Sequence, residues 1–182
     1  MPLTPTVARE PLHTRSITIR GYRRTDGLYD IEGHLTDVKN RDMTLTAGVR
    51  KAGEPVHEMW LRITIDKRLN IVSAEAQSDA VPYPGHCADI TPDYGKLVGL
   101  SLRPGFSARV RELFSSTRGC THITELIGSV ATTAYQTLAG EVKLPDDMKP
   151  FQLDKCHALV TDGLVVAKYY PRWYRGTEKQ AG

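Results

Sequence analysis

The chain has 182 residues and a formal net charge of +3, from 24 Lys and Arg against 21 Asp and Glu. That length suits one domain with a core large enough to need no disulfides, and 40% hydrophobic with 25% charged residues excludes a disordered or collagen-like chain. The small basic excess gives a nucleic-acid interface little support, and no run of about 18 apolar residues is present to span a membrane as a helix. Three cysteines cannot all pair within the chain, which favours a reducing, cytoplasmic compartment.

In chain order, residues 1–12 read as a flexible arm, 13–171 as a single α+β domain, and 172–182 as an aromatic and flexible tail. A short strand is expected over 16–22, and Asp26-Gly27 gives a turn before a longer strand over 28–38. On that strand Asp30, Glu32, His34 and Thr36 share one face, while Tyr29, Ile31, Gly33 and Leu35 share the other. The plain reading is a solvated face behind a packed one; the functional reading aligns two carboxylates with an imidazole.

Alternation continues over 43–49, and period-two apolar residues over 59–65 predict a strand that can pair with 69–76 through a hairpin at 66–68. Trp60, Arg62 and Thr64 fall on the face opposite those apolar residues. Residues 79–93 are loop-rich, with three prolines around Cys87. Helices are expected over 105–116 and 121–138, the second burying Ile123, Leu126, Ile127, Val130 and Ala134. Residues 145–150 are a poor place for regular structure, and 158–170, interrupted by Asp162-Gly163, reads as a closing β-hairpin. Strands first and helices later favour an antiparallel sheet packed against two main helices over a parallel βαβ fold.

The segment Gly119-Cys120-Thr121-His122-Ile123-Thr124-Glu125 is the most informative for chemistry. A thiolate at Cys120 would gain from the positive end of the following helix, and His122 lies within one turn of it. If folding adds Cys87 and Asp30, zinc or iron becomes reasonable, because thiolate, imidazole and carboxylate suit both ions. His57, at the start of a strand, can move protons near neutral pH, as can Glu32; the alternative for His57 is a capping or surface residue. Arg23 and Arg24 can hold a carboxylate or phosphate bidentately, or pair with Asp26, Asp30 and Glu32. Phosphate-loop, dinucleotide-loop, HExxH and GxSxG signatures are absent from the sequence.

With His13-Thr14-Arg15, Gly21-Tyr22-Arg23-Arg24, Asp26-Gly27-Leu28, Asp30-Ile31-Glu32, residues 61–66, Cys87 and Gly119-Cys120-Thr121-His122 with Glu125-Leu126, the chain resembles a bacterial domain-of-unknown-function family over residues 13–135. That resemblance implies a small-substrate enzyme of aromatic or acyl-coenzyme A catabolism. More remotely, the chain resembles iron–sulfur cluster assembly scaffold proteins. Their ligand roles would map onto Asp30 or Glu32, Cys87 and Cys120, although an early cysteine of that family is missing here.

These readings combine into a metal-dependent hydrolase or lyase acting on an acidic aromatic or acyl-coenzyme A intermediate. Asp30, Cys87, Cys120 and His122 are the expected metal ligands; Glu32, His57, Cys120 and His122 the expected catalytic groups; Arg23 and Arg24 the expected substrate contacts. Two alternatives stay open: Cys120 as a metal-free nucleophile with His122 as its base, and an iron–sulfur scaffold or sulfur-transfer accessory. The expected partner is an acidic small molecule, not nucleic acid or a membrane, and homo-oligomerisation is left open.

Overall fold

The computed structural model describes residues 7–141 and 147–176, which divide into two compact units, one on each side of residue 142. Residues 1–6 of the expected arm, the start of the 145–150 break and the tail from residue 177 lie outside the described residues. The first unit is α+β: a four-stranded antiparallel sheet in the order His13–Arg23, Tyr29–Lys39, Pro55–Ile65, Ile71–Ala80, with helices packed against it.

Strands β1 (His13–Arg23) and β2 (Tyr29–Lys39) form a long hairpin. Gly27 takes a left-handed φ of 84° at its turn, where Asp26 Oδ1 accepts the Leu28 amide. β2 alternates as the sequence predicts, with Tyr29, Ile31, Gly33 and Leu35 buried and Asp30, Glu32 and His34 half-buried. The alternation over 43–49 does not make one strand. Met43–Leu45 (β3) and Gly48–Arg50 (β4) fold back on each other, with Thr46 and Ala47 as the turn. The left-handed φ of 127° at Gly48 allows the reversal.

β5 (Pro55–Ile65) returns beside β2 and carries Met59, Leu61, Ile63 and Ile65 on its buried face. β6 (Ile71–Ala80) completes the meander after a turn in which Asp66 Oδ1 accepts the amides of Arg68 and Asn70. A 3₁₀ stretch, Cys87–Leu97, follows and buries Tyr94 and Leu97, so the proline-rich segment is more ordered than its composition implies.

Helix α1 (Phe106–Phe114) buries Phe106, Val110 and Phe114, and the Phe114 ring stacks on Tyr94 with centroids 4.6 Å apart. Helix α2 (Thr121–Leu138) has the predicted bounds and lays Ile123, Leu126, Ile127, Val130, Ala134 and Leu138 across β1, β2 and β5. Each fully buried Leu or Ile contributes about 1.5–3 kcal/mol. The approach is close: a Cβ on Gly33 would lie 2.9 Å from Val130 Cγ2. The sheet thus has a face covered by α2 and a face bearing Glu32, His34, Trp60 and Arg62.

In the second unit, Leu153 and Val166 are buried. Asp154 caps the turn by accepting hydrogen bonds from the Thr161 amide and hydroxyl. The expected terminal hairpin is instead helix α3 (Leu164–Tyr169). Asp162-Gly163 is indeed a turn, but Gly163 N donates to Val160 O and its carbonyl accepts the Ala167 amide, so the turn opens a helix.

Candidate metal centre

The period-two row that buries Ile31 and Leu35 continues to Asp37, which is 2% exposed. Across the sheet Asp37 pairs with Arg15 on β1 and His57 on β5, so the three side chains form one row on the face that α2 covers. Arg15 Nε donates to Oδ1 at 2.8 Å and Arg15 Nη2 to Oδ2 at 2.7 Å, a bidentate pair. The third guanidinium nitrogen, Nη1, donates to Glu125 on α2. His13 Nε2 lies 3.0 Å from Oδ1 and His57 Nδ1 3.1 Å from Oδ2.

The first turn of α2 brings His122 to the same carboxylate, with Nε2 3.4 Å from Oδ2 and its ring stacked on His57 at 3.9 Å between centroids. The helix start is fixed by Tyr94, whose buried hydroxyl donates to the Cys120 carbonyl and accepts from the Cys120 amide, each at 2.9 Å, and from Thr124 Oγ1. Cys120 is the residue before the helix, and its Sγ lies 3.8 Å from His122 Nδ1.

Electrostatics sort these groups into the protonation states that a metal requires. Burial pushes the Asp37 carboxyl up, but the Arg15 hydrogen bonds and charge, with His57 and His122, outweigh it and hold its pKa at about 2. His57 is lowered by burial and by the charge of His122, against the pull of Asp37; His122 is lowered chiefly by burial. Near neutral pH the row therefore presents one carboxylate and two neutral imidazoles, as metal binding requires.

Asp37, His57 and His122 are the one grouping among the described residues whose ligand atoms all lie within 4.8 Å of one another. Ligands at ~2.0–2.1 Å around a tetrahedral ion stand ~3.3–3.4 Å apart. The separations of 3.1 and 3.4 Å from Asp37 Oδ2 fit that spacing. His57 and His122 keep about a fifth of their side-chain surfaces exposed (20% and 21%), so the site is reachable from solvent.

Of the residues singled out from sequence, His57 and His122 meet here and Cys120 touches His122. The others lie elsewhere. Asp30 accepts from Thr64 Oγ1 at 2.7 Å and pairs with Arg24, and Glu32 pairs with Arg62, both on the face away from α2. Cys87 opens the 3₁₀ stretch and joins no ligand grouping among the described residues. Arg23 and Arg24 stand at the far end of β1 from His13, paired with Glu141 and with Asp26 and Asp30. Asp37, His13 and Arg15 are the members that the sequence-derived site lacks. A signal for Asp37 was available: it is a carboxylate in the apolar phase of an alternating strand.

A helix-covered antiparallel sheet with a carboxylate and two imidazoles on its covered face defines an α+β domain with a candidate mononuclear metal centre. The chain belongs to the family described as "Protein of unknown function (DUF2889)", which matches residues 13–136. No curated protein and no solved structure shows significant similarity to the chain. No helix among the described residues is long and apolar enough to cross a membrane.

Proposed function

We propose that this protein is a metal-dependent enzyme, a hydrolase or lyase for a small acidic molecule, whose ion is held by Asp37, His57 and His122. The observation that carries the reading is the convergence of two imidazole nitrogens on one buried carboxylate oxygen, the three ligand atoms lying within 4.8 Å of one another. Three protein ligands with open positions suit catalytic zinc, and two imidazoles with one carboxylate also suit ferrous iron. A divalent ion there supplies Lewis acidity toward a substrate oxygen and lowers the pKa of a water.

The chain's own residues set up that chemistry. Arg15 takes one lone-pair direction on each Asp37 oxygen and leaves the other side of Oδ2 toward the imidazoles. Glu125 holds Arg15 in turn, and Cys120 faces the ring nitrogen of His122 that points away from Asp37, the place of an outer partner that orients a ligand. Cobalt(II) titration tests the centre: a visible band saturating at one ion per chain and absent in His122→Ala supports it. Turnover of aromatic esters and coenzyme A thioesters that chelation removes and zinc restores would establish catalysis; chelator-insensitive turnover would refute the metal's role.

A second reading rests on the line Cys120 Sγ, His122, Asp37, which has the order of nucleophile, base and orienting carboxylate. That line leaves His57, which makes the shortest imidazole contact to Asp37 Oδ2 at 3.1 Å, without a role, whereas the metal centre uses both imidazoles, which favours the metal centre. Turnover abolished by Cys120→Ser with bound metal unchanged would reverse that preference.

A further inference from the structure

On β2, Lys39 follows Asp37 by two residues, so both side chains leave one face of the sheet about 7 Å apart along the strand. Lys39 pairs across β1 with His13, whose Nε2 reaches Asp37. The cluster at Asp37 therefore runs on through His13 to Lys39 at the end of the sheet. There Leu12, Lys39, Arg41, Asp42, Met43 and Thr44 line an open cleft of about 360 Å³.

The charge in this cleft is unbalanced. Asp42 is already engaged, by Lys51 Nζ at 2.9 Å and the Ala52 amide at 3.0 Å. Among the described residues no acidic side chain pairs with Lys39 or Arg41, nor with Arg20 on β1, whereas Arg15, Arg23 and Arg62 on the same sheet are paired. Leu12 and Met43 add apolar surface beside the two cations. Two unmatched cations over an apolar floor, one residue pair away from a cluster of ligating groups, suit an anionic group on a small apolar body.

We infer that this cleft anchors the substrate's anionic group, a carboxylate or a phosphate, through Lys39 and Arg41, with the rest of the molecule reaching past His13 toward Asp37. The direction of that reach rests on the metal-centre reading; the anchor does not. Arg23 and Arg24, committed to their own acidic partners, are not the anchor.

The test is calorimetric titration of the full chain with benzoate and with inorganic phosphate at low ionic strength, for wild type, Lys39→Ala, Arg41→Ala, the double variant and Arg23→Ala. Saturable one-site binding is expected, weakened about 10-fold by each cleft substitution, nearly lost in the double variant and unchanged in Arg23→Ala. The tighter of the two probes identifies the anionic group. Absence of saturable binding for both probes, or wild-type affinity in the double variant, would overturn the inference. Zinc content measured on the same samples separates the two ideas: zinc without cleft-dependent binding removes the anchor and keeps the centre, and cleft-dependent binding without zinc does the reverse.

Discussion

Asp37 on β2 and His57 on β5 face each other directly across the strand pair, Oδ2 to Nδ1 at 3.1 Å, on the face that elsewhere carries Ile31, Leu35, Met59 and Leu61. A carboxylate in such a row has a large desolvation cost unless it is fully paired, and Arg15, His13 and His57 supply that pairing.

The pairing makes stability depend on acid in a definite direction. Asp37 has its pKa at about 2 in the folded protein against an ordinary 3.8, so it stabilises the fold above the ordinary value and loses that contribution as pH falls through the folded one. At about 1.4 kcal/mol per pH unit the gap is worth about 2 kcal/mol. His57 and His122, both lowered from 6.5, add an earlier loss that begins as pH falls below that value, because the unfolded chain takes up those protons first. Urea unfolding of chelator-treated protein should show a decline that starts below pH 6.5 and steepens between 4 and 2, with the steep part shallower in Asp37→Asn but not abolished, because the Lys149 and Thr161 hydrogen bonds also hold Asp154 at about 2. An identical steep decline in Asp37→Asn would assign it to other groups.

At Gly33 α2 lies so close to the sheet that an added Cβ would meet Val130 Cγ2 at 2.9 Å and Ile19 Cδ1 at 3.1 Å. Alanine ordinarily strengthens a strand relative to glycine. Here the crowding by a stiff β-branched neighbour should dominate, so Gly33→Ala is expected to destabilise by about 1–3 kcal/mol in chemical denaturation. A stabilised variant would show that α2 shifts freely over β2.

Tyr94 holds the start of α2 through a hydroxyl that is hydrogen-bonded to the backbone of Cys120 and to Thr124. Tyr94→Phe leaves the Cys120 amide without that acceptor and should cost about 1–3 kcal/mol. Because His122 lies two residues further on, the same change should weaken cobalt binding without removing a ligand. Unaltered cobalt affinity in a measurably destabilised variant would separate the helix start from the site.

The sequence made the architecture readable where periodicity is long and uninterrupted. The alternation of β2 and the 3.6-residue pattern of α2 gave their bounds to within a residue. It misled where turns are short: Thr46-Ala47 splits one apparent strand into β3 and β4, and Asp162-Gly163 opens a helix instead of a hairpin. For the site, residue type identified His57, Cys120 and His122, but their common partner depends on register. Asp30 and Glu32 are carboxylates in the solvated phase of β2; Asp37 is in the buried phase, beneath a helix start whose position over the sheet no local pattern reveals.

The central claim is most directly tested by metal and acid-labile sulfide content in natively purified, tag-free protein, wild type alongside His57→Ala and His122→Ala. Close to one zinc or iron per chain, no sulfide, and loss of the ion in both variants at retained folding is the predicted result. Metal-free wild type that also fails to take up added zinc or iron would contradict the centre, as would sulfide in stoichiometric amount with iron, which would favour the alternative scaffold reading.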